Sequence, residues 1–159
     1  MPVKCTFVLN DQTYSTLTCE GTAPVQAFSG TDQGRDNPDD TAIKNVGPLP
    51  KGTNYLVDRQ SGGLLGPIRD WFSEHTISTD RRTWFMLWNP VSGDMTNING
   101  IQRGNFRLHP IGQRRLSEGC ITVVQPYEFD RLQKFIRSRG LTVPVPGTTL
   151  RAYGTVEVK

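Results

Sequence analysis

Two short stretches hold the residue types that could do chemistry. Phe106-Arg107-Leu108-His109-Pro110 carries one of the chain's two histidines, and Ser117-Glu118-Gly119-Cys120-Ile121-Thr122 carries one of its three cysteines. A thiol beside a glycine with an imidazole near in sequence is what cysteine acyl transfer requires. The thiolate is the nucleophile, and a cysteine with an ordinary pKa near ~8.5 is only about 3% thiolate at neutral pH. An adjacent imidazole activates it by taking the proton. Gly119 would let backbone amides near Cys120 turn toward a developing oxyanion. The plainer alternative is a small buried cysteine leading into a strand, with a histidine satisfied by backbone at the end of another.

The order and spacing resemble the L,D-transpeptidase signature: a histidine, a variable loop, then Ser/Thr-His-Gly-Cys followed by an apolar and a polar residue. The matching positions are His109, Ser117, Gly119, Cys120, Ile121 and Thr122. Glu118 stands where that signature carries a second histidine, and the loop is short. Both departures are similar to a divergent branch, the L,D-transpeptidase-like toxic effectors of bacterial type VI secretion. That branch also resembles the chain in Phe28-Ser29-Gly30, in Gly47-Pro48-Leu49-Pro50-Lys51-Gly52 and in Arg103-Gly104-Asn105 ahead of Phe106. The likeness runs from about residue 5 to residue 155.

The resemblance implies a mainly β fold, a β-sandwich or open barrel, in a single catalytic domain over residues 1–159. It implies Cys120 as nucleophile and His109 as base, with the Pro110 carbonyl orienting the imidazole. Amides around Gly119 and Cys120 would form the oxyanion site, and Ser117 would fix the loop. The implied substrate is the peptidoglycan stem peptide, cut or exchanged at the bond before a fourth-position D-alanine through a thioester, with no cofactor and no metal. The implied partners are a secretion apparatus and a cognate immunity protein. Arg103 and Arg107 are candidates for a substrate carboxylate, since guanidinium matches it in a fork geometry. Ser29 and Trp88 are candidates for lining the substrate groove. Glu118 would disfavour a thiolate unless Arg107, Arg114 or Arg115 offsets it.

The rest of the composition sets bounds. At 159 residues the chain is long enough to bury a core as one domain. A net charge of +3 suits an anionic polymer but is far below the basic density of a nucleic-acid binder. No apolar run approaches the ~18 residues of a membrane span. The N-terminus enters a strand pattern without a signal-peptide h-region. A chain made in the cytoplasm and acting in the periplasm of a target bacterium would then need another delivery route.

The elements that must position the pair are strands. Residues 5–9 and 14–19 read as a hairpin turning at Asn10-Asp11-Gln12-Thr13, with Cys5, Phe7 and Leu9 on one face. Cys5 then falls opposite a position near 17 to 19, so a disulfide with Cys19 and two reduced thiols are both open; Cys120 is the odd one of three. Val25–Phe28 is a short strand in an irregular stretch, and Tyr55–Asp58 follows a Gly/Pro bend. A short helix is expected at 67–74 after Pro67, and His75 reads as exposed. Thr83–Trp88, apolar on both alternations, reads as a strand covered on both faces. Phe106–His109 and Ile121–Val124 bring the reactive residues. A helix over 127–139 shows Phe129, Leu132, Phe135 and Ile136 on one face and stops at Gly140. In the last strand, Thr149–Val158, alternation puts Leu150, Ala152, Gly154 and Val156 inward and Tyr153 outward.

Three other readings compete. Papain-like or wall-amidase cysteine peptidases place cysteine before histidine, the reverse of the order here. A non-catalytic wall- or partner-binding module would keep the fold without needing the thiol. Zinc held by Cys5, Cys19, Cys120, His75 and His109 lacks the usual C-x-x-C or H-x-x-x-H spacing.

Overall fold

Alternating burial marks the first strands. In β1 (Val3–Phe7) Val3, Cys5 and Phe7 are buried, and in β2 (Ser15–Cys19) Ser15, Leu17 and Cys19 are buried. This is the period-2 pattern of strands with one face on a core. The computed structural model describes residues 1–31, 34–42, 47–58, 83–91, 93, 95–98, 101–104, 106–111 and 120–159, and only the backbone of 95–98 and 101–103. The expected helix at 67–74, His75, Glu118, Arg114 and Arg115 lie outside the described residues.

The remaining strands are β3 (Val25–Phe28), β4 (Gly52–Asp58), β5 (Phe85–Trp88), β6 (Met95–Ile98), β7 (Ile101–Gly104), β8 (Arg107–Pro110), β9 (Ile121–Val123), β10 (Val143–Pro144) and β11 (Arg151–Val158). Their order in the main sheet is β1-β2-β3-β9-β8-β5-β4-β11-β10, and β1 also pairs with β11. That last pairing is parallel and closes eight strands into a barrel, with β10 appended. The fold is therefore mainly β, as expected, and the barrel is closed. β6 and β7 form a separate antiparallel pair.

Closure depends on one residue without a side chain. Gly154 lies in register with Val3, and a Cβ built on it would sit 1.8 Å from the Val3 carbonyl oxygen. Cys5 and Cys19 are also directly in register and are joined by a disulfide, with Cα atoms 4.0 Å apart. Two of the five donors of the zinc alternative are thereby consumed.

A single core cluster includes Phe7, Leu17, Leu56, Leu87, Leu108 and Ile121. Helix α1 (Pro126–Ser138) adds Phe129, Leu132 and Ile136 to it and packs on β8 and β9. Pro126 opens the helix, where its missing N–H has no intrahelical partner to lose, and Gly140 ends it at φ 79°. On β5, Phe85 and Leu87 join the main core while Met86 joins a second cluster with Val57, Val145 and Ala152. The strand is covered on both faces, as its apolar run suggests.

Tyr153 corrects the reading of the last strand. It is 6% exposed rather than outward in solvent. The pairing of β11 with β4 shifts between Ala152 and Gly154, so strict alternation breaks there. The Tyr153 ring meets Phe85 edge-on, its hydroxyl donates to Asp58, and Arg137 of α1 binds both Asp58 and the Tyr153 oxygen. This polar knot ties the helix to β4 and β11.

Candidate active site

His109 stands on β8, and Cys120 immediately precedes β9, the parallel neighbour of β8. β8 and β9 pair with Leu108 opposite Ile121 and His109 opposite Thr122. Continuing that register one residue back sets Arg107 across from Cys120. Within the paired strands the pleat turns alternate side chains to opposite faces, so Arg107, His109 and Thr122 share the face turned away from Leu108 and Ile121, while Cys120, just before β9, belongs to the core cluster of Leu108 and Ile121. Strand spacing of ~4.8 Å and a rise of ~3.3 Å per residue put the His109 and Cys120 α-carbons roughly 8 Å apart. Sequence supplies the local reason: the β-rich runs 106–110 and 120–124 have opposite parities of apolar residue at Leu108 and Ile121, which α1 covers.

The imidazole is held on two sides. His109 Nδ1 lies 2.7 Å from the Pro110 carbonyl oxygen. A carbonyl only accepts, so Nδ1 carries the proton and Nε2 is the acceptor nitrogen of the neutral ring. The resemblance implies this bond, and the structure has it. Trp84 stacks on the ring with centroids 4.7 Å apart and planes at 25°. His109 is 3% exposed, and burial pulls its pKa down to about 4; the Pro110 bond opposes this, while the Arg107 charge adds to it. At neutral pH it is therefore an uncharged base rather than half of an ion pair.

Cys120 is 1% exposed and takes no part in the disulfide. Cys120 and His109 are thus each buried. A low-dielectric surrounding disfavours the imidazolium at rest. It also strengthens any dipole aimed at charge that develops during attack.

The other residues singled out by sequence have their own surroundings. Pro110 is buried at the end of β8, and Arg107 is 0% exposed with Nη1 donating to the Phe106 carbonyl at 2.8 Å. Ser29 is 0% exposed and its Oγ accepts the Leu49 amide at 2.7 Å. Trp88 is half-buried with Tyr55, Val143 and Leu150 against the second cluster. Arg103 lies on β7, and its side chain lies outside the described residues, as do Ser117 and Gly119.

Sequence reasoning missed Trp84, Tyr14, Arg35 and Asp36 in this neighbourhood. Phe28 pairs with Thr122 and Thr122 with His109, so one row crosses the sheet from Phe28 through Thr122 and His109 to the stacked Trp84. Tyr14 extends the row, its ring 6.1 Å from Phe28, and the Arg35 guanidinium lies 4.2 Å over the Phe28 ring. Trp84 reads as core because it belongs to an apolar run, and nothing in its spacing points to His109. Asp36, buried at 0% exposure and bonded to Ser29, lies in a Gly/Asp/Asn-rich stretch that reads as surface.

No curated protein matches the chain. A family model described as the Tlde1 domain matches residues 23–148, which is most of the chain and includes β3 through α1. The chain therefore belongs to the Tlde1 domain family, the L,D-transpeptidase-like effectors of type VI secretion whose role is directed at peptidoglycan.

Proposed function

We propose that the protein is a cysteine acyl transferase acting on peptidoglycan stem peptides, delivered as an antibacterial effector to the periplasm of a target cell. The observation that carries this reading is the neutral His109, its tautomer set by Pro110, on the strand that pairs with the one Cys120 leads into. Cys120 Sγ attacks the carbonyl of the third stem residue as its proton passes to His109 Nε2. Amides near Gly119 and Cys120 stabilise the oxyanion, a contribution commonly of ~3 kcal/mol per donor. Collapse breaks the amide bond, and the departing D-alanine amine takes the proton from His109. The thioester is then resolved by water, giving an L,D-carboxypeptidase, or by a D-amino acid or second stem amine, giving a transpeptidase. The attacking group returns its proton through His109 to the thiol. Ser117 shapes the loop, Arg103 and Arg107 hold substrate carboxylate, and Ser29 and Trp88 border the groove. A cognate immunity protein would protect the producing cell.

The 1% exposure of Cys120 also suits a second reading, a binding module that keeps the fold without turnover. Incubation with tetrapeptide muropeptides, with and without D-amino acids, decides between them. The parent should release D-alanine, and Cys120→Ala and His109→Ala should not. Equal release by Cys120→Ala ends the enzyme reading. Failure of a carbapenem to add its mass to the parent, together with no release, favours the module.

A further inference from the structure

Asp36 is fully buried and non-glycine, yet its backbone is left-handed at φ 53°. Aspartate is among the few side chains that tolerate that region, and its local hydrogen bonds are the usual reason. Here they are explicit. The Asp36 amide donates to the Ser29 carbonyl at 2.7 Å, and the Ser29 amide donates to Asp36 Oδ1 at 2.8 Å. Both backbone polar groups of Ser29 are thus held by one residue. The Asp36 carbonyl in turn accepts the Asp11 amide at 2.7 Å, while Ser29 Oγ accepts the Leu49 amide. Three distant chain segments are gathered at Ser29.

What Ser29 adjoins gives this cluster its importance. Ala27 pairs with Val123 and Phe28 with Thr122 across β3 and β9. Continuing the antiparallel pairing takes Ser29 to the level of Ile121 and Gly30 to the level of Cys120. Gly30 adopts φ 87°, a turn that glycine makes without a Cβ clash. We propose that Asp36 is a positioning residue for the thiol: by clamping Ser29 it fixes the Ser29-Gly30 strap against the chain that carries Cys120, a role that rests on the acyl-transfer reading above.

The chemistry of the carboxyl agrees. Burial pushes it up to about 7, against the opposing effects of the Ser29 amide and the Arg35 charge. Oδ2 has no hydrogen-bond partner among the described residues. Burying this carboxyl is costly, and its hydrogen bond to the Ser29 amide offsets part of that cost. The charged neighbour is Arg35, while Asp11 contributes a backbone amide.

The test uses the full chain with two substitutions. Asp36→Gly deletes the carboxyl while keeping the left-handed backbone at ease, so it isolates the clamp from strain. Asp36→Asn keeps an acceptor at Oδ1 and cannot ionise. Hydrogen–deuterium exchange is followed in peptides spanning 27–31 and 120–124, and D-alanine release is measured as kcat and KM. Asp36→Gly should speed exchange in both peptides at least about tenfold and lower kcat about tenfold or more, with KM changed less than about threefold, since misplacement by ~1 Å commonly costs 10²-fold. Asp36→Asn should restore both readouts to within about threefold of the parent. Faster exchange in 27–31 alone, or parent kcat in Asp36→Gly, overturns the proposal. So does an Asn variant that behaves like the Gly variant. A parent that releases no D-alanine defeats the functional reading instead, and exchange in 120–124 then decides the clamp by itself.

Discussion

Lowering the pH places a proton on an unfolded His109 long before the folded protein accepts one. The imidazole is held near pKa 4 in the fold, against 6.5 when free, because burial strips the water an imidazolium needs and Arg107 repels it. The folded state therefore binds fewer protons than the unfolded chain between those values. Stability from this group is fully present above pH 6.5, falls as pH drops through 6.5 toward 4, and is flat below. At ~1.36 kcal/mol per pH unit the loss is about 3 kcal/mol. Asp36 works the other way: its folded pKa near 7 lies above 3.8, so its contribution fades as pH rises toward 7. A raw stability curve mixes the two. The His109→Gln variant removes one of them, so the difference between parent and variant reports the histidine. Urea denaturation at about pH 7.5, 5.5 and 4 should show the parent losing about 3 kcal/mol more than His109→Gln over that range. In the same range kcat/KM should hold until an acid limb near pH 4 rather than 6.5. If parent and variant lose stability in parallel, and the acid limb sits at 6.5, His109 is not a desolvated neutral base and the reasoning is wrong.

Three further outcomes are expected. Trp84→Ala should destabilise by ~3–5 kcal/mol in urea denaturation, because a fully buried indole is lost along with the stack on His109. Trp84→Phe keeps an aromatic face there and should lose less while preserving the acid limb. Gly154→Ala should destabilise by more than ~3 kcal/mol or prevent folding, since its Cβ would overlap the Val3 carbonyl where β1 meets β11; a thermal scan that matches the parent would refute this. Reducing the Cys5–Cys19 bond frees a short hairpin and should cost about 3 kcal/mol, seen as a drop of roughly 6–12 °C in Tm with dithiothreitol and none in a Cys5→Ser/Cys19→Ser chain.

Local patterns were readable where one face meets a core. The first hairpin, Val25–Phe28 and α1 follow their alternation or helical stripe, and the run before Trp88 is covered on both sides as its composition suggests. The His109-to-Pro110 bond was expected only from the family resemblance, which assigns the orienting carbonyl to the residue after the histidine. What stayed hidden is non-local. The parallel contact of β1 with β11 joins the two ends of the chain, and period alone does not choose a partner for a strand. The β6–β7 pair went unread although Asn99-Gly100 lies between Ile98 and Ile101, a strong two-residue hairpin signal. Tyr153 was misread because a register shift is invisible to strict alternation. Asp36 and Trp84 take their meaning from what faces them, and residue type gave no hint of either neighbour.

The burial of Cys120 bears on survival outside a reducing cytosol. Peroxide and other oxidants attack sulfur mainly as its anion, and exposed low-pKa thiols are the ones carried to sulfenic acid and beyond. A sulfur that shows 1% of its residue surface to solvent is poorly placed for that damage. The same chain holds its other two cysteines locked to each other, so neither offers a partner for scrambling. Resting inertness would then preserve the toxin in transit through an oxidising envelope.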